Sequence, residues 1–284
     1  MFVIAGVTGH VGSVAAEKLI AEKQKIKVIV RDATKSAQWS QKGAEVAVGA
    51  LDDPQFLAGA LRGSSGFFTL LPPNYQSDDF YATQRRTADS IARAVKESAV
   101  PHVVILSSVG ADLADGTGPI KGLHYLEGVL RATGTNLSTI RAGSFQENVA
   151  LSLGPAKTQG IYPNFTPSAD YAFPMIATKD IGALVARTLM FPPAKSEVVD
   201  LLGPAYSTRQ VAEKLGEALG KTLRVVDIPP AGWVQALTQS GMPHSLAEIF
   251  AEMYAGFASG AIRPTGDRIV QGSTTIDEVI KSIV

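Results

Sequence analysis

The sequence predicts an α/β fold, a doubly wound parallel sheet with helices on both faces, extended by a smaller C-terminal lobe. Three observations carry that expectation. A short apolar strand at Phe2-Val3-Ile4-Ala5 breaks into glycines spaced three apart, Gly6, Gly9 and Gly12, and continues as a helix with Val11, Val14, Ala15 and Leu19 at helical spacing. Further strands are apolar throughout and are separated by amphipathic helices, the pattern of a parallel sheet buried on both sides. Beyond Arg141 that rhythm loosens.

The elements follow in order. Ile26–Val30 is a second strand, ending at Arg31-Asp32, and a short helical stretch from Thr34 to Lys42 ends at Gly43. Glu45–Val48 is a third strand. Asp53-Pro54 opens a helix, a capping side chain with proline at the first helical position, and Gly63 closes it. Gly66–Leu71 is a fourth strand, stopped by Pro72-Pro73. A long helix runs from Phe80 to Ala99, with Ala88, Ile91, Ala92 and Val95 on one face. His102–Ser107 is a fifth strand, Ile120–Ala132 a helix and Leu137–Arg141 a sixth strand. The stretch 154–173 is rich in Pro, Gly, Asn and aromatics and lacks periodicity. A helix at Thr178–Met190 and a strand at Val198–Leu202 follow. Ser207-Thr208-Arg209-Gln210 is a capping box for a helix ending at Gly220. After a strand at Leu223–Ile228 come two helices, around Trp233 and Phe250. Residues 1–150, continued near 174–202, read as a dinucleotide-binding body; 151–173 and 203–284 read as a smaller substrate-side lobe.

Composition narrows the function. Over 284 residues Lys plus Arg equals Asp plus Glu at 26 each, so no net charge draws the chain to nucleic acid or an acidic membrane. There is no cysteine, which removes disulfides, thiolate metal sites and cysteine nucleophiles. The four histidines show no metal-ligand spacing. With a strand starting at Phe2 and no apolar run of membrane length, a soluble, cytoplasmic protein is expected.

The glycine turn is nearly bare of side chains, so backbone can approach a ligand closely. The helix behind it points unpaired N–H groups and its positive dipole end outward, which suits a pyrophosphate. A dinucleotide site also needs a ribose-binding residue about twenty positions on, after a second strand. Arg31 and Asp32 stand there. Arg31, with Lys35 near it, can clamp a 2′-phosphate and favours NADP(H), while Asp32 keeps NAD(H) open. The fold adds Leu51 and Asp52 at the adenine edge, Asp52 accepting from the amino group. It brings Leu70, Leu71 and Pro72 near the ribose of the nicotinamide half.

Gly6-x-x-Gly9-x-x-Gly12 resembles the glycine pattern of the extended and atypical short-chain dehydrogenase/reductase superfamily. Val7-Thr8-Gly9-His10-Val11-Gly12 is most similar to the (V/A)-T-G-x-x-G signature of its NmrA-like branch. Arg141-x-Gly143-x-Phe145-x-Glu147-Asn148 resembles that family's R-x-G-x-F-x-E-N stretch, and Thr178-Lys179-Asp180-Ile181-Gly182 resembles a later family segment, extending the match to about residue 202. The resemblance implies a Rossmann-like fold with the cofactor on the turn around Gly6, Thr8, Gly9, His10, Val11 and Gly12. It also implies an Arg at the place of Arg31 and closure of Gly143, Ser144 and Phe145 over the nicotinamide ring. Physically, Glu147 is suited to capping the next helix and Asn148 to tying loop backbone.

Short-chain reductases usually place a Tyr and, four residues later, a Lys on the helix after strand five, the Tyr as general acid. Counting back from Leu137 puts that pair at Pro119 and Leu123, which cannot serve. Ser107 or Ser108 can still polarise a substrate oxygen, Ser107 also lying within reach of the cofactor. Lys121, His124 and Tyr125 are nearby. His124 is one position from the family's Lys or His, and one position on a helix is a turn of about a hundred degrees. Some members resembling this chain reduce quinones or cationic dyes without the pair, relying on the acceptor's electrophilicity and on proximity. Flat apolar acceptors want an aromatic pocket, for which Phe145, Tyr162, Phe165, Tyr171, Phe173, Trp233, Phe250, Met253, Tyr254 and Phe257 are available. The expectation is a reductase passing hydride from NADPH to a quinone-like or other conjugated acceptor. The alternative is a non-catalytic dinucleotide sensor of the NmrA type acting on a regulatory protein partner.

Overall fold

The first strand, β1 (Phe2–Ile4), runs through the glycine turn into α1 (His10–Ala21), and the computed structural model describes this and every other residue from 1 to 284. The nucleotide-type half continues as β2 (Ile26–Val30), a 3-10 turn at Ala33–Lys35, α2 (Ser36–Gln41), β3 (Glu45–Val48), α3 (Pro54–Leu61) and β4 (Gly66–Thr69). Then follow α4 (Phe80–Ser98), β5 (His102–Ser108), α5 (Lys121–Arg131) and β6 (Asn136–Ala142). Local signals place several ends where the sequence predicts them. Asp53 caps α3 by accepting from the Phe56 N–H at 3.0 Å, and Asp79 caps α4 from Ala82 at 2.9 Å.

The remainder adds β7 (Ser144–Phe145), α6 (Leu153–Gln159), β8 (Ile161–Asn164), β9 (Ala172–Ile176), α7 (Thr178–Met190) and β10 (Glu197–Leu202). It closes with β11 (Ala205–Ser207), α8 (Thr208–Leu219), β12 (Arg224–Asp227), α9 (Trp233–Gln239), α10 (His244–Ala258), β13 (Arg268–Gln271) and α11 (Ile276–Ile283). The Ser207/Gln210 capping box at α8 is present as expected, and a second one, Thr275/Glu278, opens α11.

One eight-stranded sheet runs β3-β2-β1-β4-β5-β6-β10-β13, every neighbour parallel. Alternate residues feed two cores. Phe2, Ile4, Phe68, Val104 and Ile140 pack beneath α1 and α7, while Val3, Phe67, Val103, Ile105 and Leu137 pack beneath α3, α4 and α5. Gly182 lets α7 lie close on α1, since a Cβ there would sit 2.7 Å from that of Val14. The chain reverses direction across the sheet between β1 and β4, which opens a crevice at their carboxyl ends.

Residues 268–271, grouped by sequence with the smaller lobe, pair instead with β10 as the sheet's outermost strand. The lobe itself holds a β11-β9-β7 sheet, a β12-β8 pair and a core of Val149, Ala156, Met175, Val211, Leu215, Ile276 and Ile280. Asn164, 1% exposed, binds Asp227 at 2.8 Å and Thr208 at 2.8 Å, fastening the aperiodic 154–173 stretch to β12 and α8. No helix is long and apolar enough to cross a membrane.

Candidate functional site

The three glycines of the turn play different parts. Gly6 has a φ of +69°, and a Cβ there would stand 2.8 Å from Leu70 Cδ2, so Gly6 sets both the turn and its contact with the end of β4. Gly12 lets α1 lie on the turn: a Cβ would sit 2.7 Å from the Ala5 carbonyl oxygen and closer still to that of Gly6. At Gly9 a Cβ would meet only the Gly6 oxygen, at 3.5 Å, and φ is an ordinary −105°. Nothing within the chain demands a glycine there. What its missing side chain leaves is an open cradle, flanked by exposed Thr8 and His10. Gly9 begins α1 with no side-chain cap, and no acidic residue stands in the first turn. The N–H groups of His10, Val11 and Gly12 are therefore offered outward to an anion.

The other residues expected around a dinucleotide lie along the same carboxyl edge of the sheet. Arg31 and Lys35, after β2, are exposed, and their side chains make no ion pair or hydrogen bond. Asp32 is engaged: its Oδ1 accepts from the Thr34 N–H at 2.8 Å, and bonding to Thr34 holds its carboxyl below the usual range. The cation at this point is free and the carboxylate is partly used. Leu51 is buried and Asp52 exposed without a partner, just past β3. Leu70 and Pro72 are half-buried and Leu71 is buried, past β4. Gly143, Ser144 and Phe145 are half-buried past β6.

On the α5 side the structure departs from several expectations. Ser107 is 3% exposed and donates to Glu127 Oε1 at 2.6 Å, so its hydroxyl turns under α5 and away from the crevice. Strand alternation is the reason, since it shares a face with Val103 and Ile105. Ser108 faces the other way and bonds the Val109 carbonyl at 3.0 Å. The His124 Nδ1 lies 2.9 Å from the Ala111 carbonyl, which can only accept, so the ring pins the loop after β5. Tyr125 donates to Asp89 at 2.8 Å and packs against Arg85, on the outer face between α4 and α5. That bond to Asp89 raises its phenol pKa, opposite to what a general acid needs. Lys121 is not simply solvated: it pairs with Glu252 at 3.3 Å and lies over the Tyr81 ring at 4.7 Å.

The stretch from Arg141 to Glu147 is a row of anchors. Arg141, 6% exposed, makes a two-point bond to Glu127 (2.9 and 2.7 Å) and a third to Thr265 at 3.0 Å. The wholly buried Gln146 donates to the carbonyls of Met175 and Thr274 at 2.9 and 2.8 Å. Glu147 caps a helix, as its chemistry suggests, but the distant α7 rather than the one that follows it. Its oxygens take the Thr178 N–H at 2.9 and 3.1 Å and the Thr178 hydroxyl at 2.5 Å. Asn148 is exposed and makes no hydrogen bond.

The profile of the NmrA-like family matches residues 1–281, nearly the whole length. The chain belongs to the NmrA-like family. It is 27% identical over 256 residues to an NAD(P)H azoreductase of Xenophilus azovorans, a match covering 90% of this chain and 86% of that protein. It is 26% identical over 269 residues to quinone oxidoreductase 2 of Escherichia coli K12, covering 92% and 90%. The crystal structure of the Citrobacter sp. triphenylmethane reductase complexed with NADP(H) superposes with a TM-score of 0.84 at 19% identity, over the full length of both chains.

Within this NmrA-like framework Glu127 belongs to none of the sequence motifs. It was detectable as a lone acid on the apolar stripe Leu123, Leu126, Leu130 of α5. The aromatics divide into groups. Tyr254 stacks on Phe165 at 5.1 Å and meets Trp233 edge-on at 5.8 Å, while Phe250 of α10 meets Tyr75, of the loop after β4, at 6.0 Å. Burial pushes the phenols of Tyr162 and Tyr254 up to about 12, so both stay protonated. Two open cavities, of about 340 and 430 Å³, lie in the smaller lobe around Asp227; no residue of the glycine turn lines either.

Proposed function

We propose that the chain is an NADPH-dependent reductase that passes a hydride to a quinone-like or other conjugated acceptor, without a Tyr/Lys pair on α5. The observation that carries this reading is the Gly9 cradle, together with an unpaired Arg31 at the end of the neighbouring strand β2. A pyrophosphate suits the three free N–H groups of α1, and a 2′-phosphate suits the free guanidinium. The relatives lend support: those described above are named for reducing azo compounds, quinones and triphenylmethanes, and one was solved with NADP(H). All three acceptor types are conjugated and readily reduced.

Under this reading residues 1–150, continued by 174–202, form the dinucleotide body. Residues 151–173 and 203–284, less the returning strand at 268–271, form the acceptor side. The bound cofactor supplies the hydride. The chain contributes binding, orientation and exclusion of water: the α1 amides hold the phosphates, Arg31 and Lys35 read the 2′ position, and Asp52 stands at the adenine edge. Leu70, Leu71 and Pro72 shape the floor at the nicotinamide half, and the turn 143–145 closes over it. Tyr125 and Ser107 are assigned no chemical role, being bound to Asp89 and Glu127, and His124 acts through the loop at Ala111. The test is steady-state oxidation of NADPH and NADH against a panel of benzoquinones, naphthoquinones and azo dyes. Faster turnover with NADPH supports the reading. Tight cofactor binding with no turnover on any acceptor points to the sensor instead.

A further inference from the structure

Across three adjacent strands the sheet face under α5 carries one row of hydrogen-bonding and charged side chains: Ser107 on β5, Arg141 on β6 and Asp200 on β10. All three are at least nine-tenths buried, and Glu127 descends on them from α5, itself only 2% exposed. Glu127 accepts from Ser107 and twice from Arg141, whose remaining nitrogen reaches Thr265 and lies 3.6 Å from Asp112. Asp200 accepts from the Gly266 N–H at 2.6 Å. A buried ion pair is an inefficient way to stabilise a core, since apolar residues of similar volume often serve as well or better. What a two-point pair does supply is fixed geometry.

The geometry it fixes lies next along the chain. After Arg141 comes the turn Ala142–Phe145, and immediately after that the chain is fastened again by Gln146 and Glu147. Inside the turn, the Gly143 N–H bonds the Leu201 carbonyl at 3.0 Å, while the Ser144 hydroxyl makes no bond. The segment is thus held at both ends and, through the pairing of β7 with β9, along its middle, at the carboxyl edge of the sheet.

We infer that the Glu127–Arg141 pair is a positioning element, setting the 143–145 turn against the nicotinamide end of the cofactor so that the acceptor meets it at reactive distance. The inference rests on the reductase reading above. It gives α5 a part in the reaction through its buried acid.

Three variants and two readouts test it. Glu127→Gln leaves the guanidinium short of a charge partner; Glu127→Leu/Arg141→Met removes both charges and refills the volume; Arg141→Lys keeps the charge but loses the two-point bond. Thermal unfolding is followed beside kcat and KM with NADPH and a benzoquinone, and beside the fluorescence of bound NADPH, which needs no acceptor. The expected result is that the double variant regains most of the stability lost by Glu127→Gln. Its kcat nevertheless stays about ten- to a hundredfold down, the range for a slightly misplaced reaction geometry. KM for NADPH should move less than about threefold, and the bound-NADPH emission should differ from that of the unaltered protein. Activity returning together with stability would overturn the inference and leave the pair structural. Should the double variant not fold, Arg141→Lys decides: the same kcat loss upholds the inference, and unaltered kcat and emission overturn it. Should the unaltered protein fail to oxidise NADPH with every acceptor tried, the reductase reading falls by itself. The emission comparison still says whether the pair sets the nicotinamide environment.

Discussion

Replacing Gly9 and Gly12 in turn by alanine separates the ligand-facing glycine from the packing glycine. At Gly12 the new methyl would lie 2.7 Å from the Ala5 carbonyl oxygen, with the rigid backbone of Gly6 closer still, so the start of α1 must shift off β1. Overpacking of this kind costs about 1–3 kcal/mol. In a chain of this size that lowers Tm by roughly 2–12 °C at about 2–4 °C per kcal/mol. At Gly9 the methyl meets only one atom at 3.5 Å and φ is −105°, so the fold admits it. The loss is confined to the N-cap preference for glycine over alanine, up to about 1 kcal/mol. On the proposed reading that methyl stands where the phosphates approach. Displacing one charge-assisted hydrogen bond is worth about 1.5–3 kcal/mol, or roughly ten- to a hundredfold in Kd. Thermal unfolding and titration of NADPH by its fluorescence read both effects. Gly9→Ala should keep Tm within about 4 °C and lose NADPH affinity. A Gly9→Ala protein that binds NADPH as the unaltered one does would refute the cradle.

Three further outcomes are expected. Arg31→Ala should weaken NADPH by roughly tenfold or more and NADH by less than about twofold, the gap narrowing with added salt; equal losses for both cofactors would sink the assignment of Arg31 to the 2′-phosphate. Glu147→Ala strips the cap of α7 and should cost about 1–2 kcal/mol of stability, read as a lower urea midpoint; an unchanged midpoint would contradict the capping role. Burial raises the Asp200 carboxyl above its ordinary 3.8, against the pull of Gly266 and Arg141. The folded chain then holds that proton more tightly than the unfolded one, so this group makes stability fall as pH rises from 3.8 to the elevated value and adds no slope beyond it. Asp200→Asn keeps an oxygen for the Gly266 N–H and should remove that slope; urea midpoints against pH that keep it would place the titration elsewhere.

Much of this was legible because single residues carried unambiguous local physics. Asp53-Pro54 and Ser207 with Gln210 each admit few backbone geometries, and the structure has those geometries, while the glycines at 6, 9 and 12 mark the turn between β1 and α1. The continuously apolar strands announced a sheet buried on both faces. What escaped was short, half-exposed or dependent on distant partners. The strand Arg268–Gln271 has exposed ends and an exposed Ile269, so nothing in its four residues marks it as part of the central sheet. Strands β7, β8, β9 and β11 lie outside the central sheet and are partly exposed, so no continuous apolar run marks them. The nearness of Ser107 to the end of β5 suggests the crevice, but its shared parity with Val103 and Ile105 turns it under α5. The chemistry of Glu147 points to a helix cap, but its partner Thr178 lies 31 residues away and only the fold brings it close.

The central claim is most directly tested by mixing the protein, preloaded with NADPH, with a benzoquinone in a stopped-flow instrument and following reduced-nicotinamide absorbance through one turnover. The account predicts a decay faster than the same mixture without protein, slowed when deuterium replaces the transferred hydrogen, and weaker when NADH replaces NADPH. Decay no faster than the protein-free control, across quinones and azo dyes alike and with NADPH demonstrably bound, would contradict it.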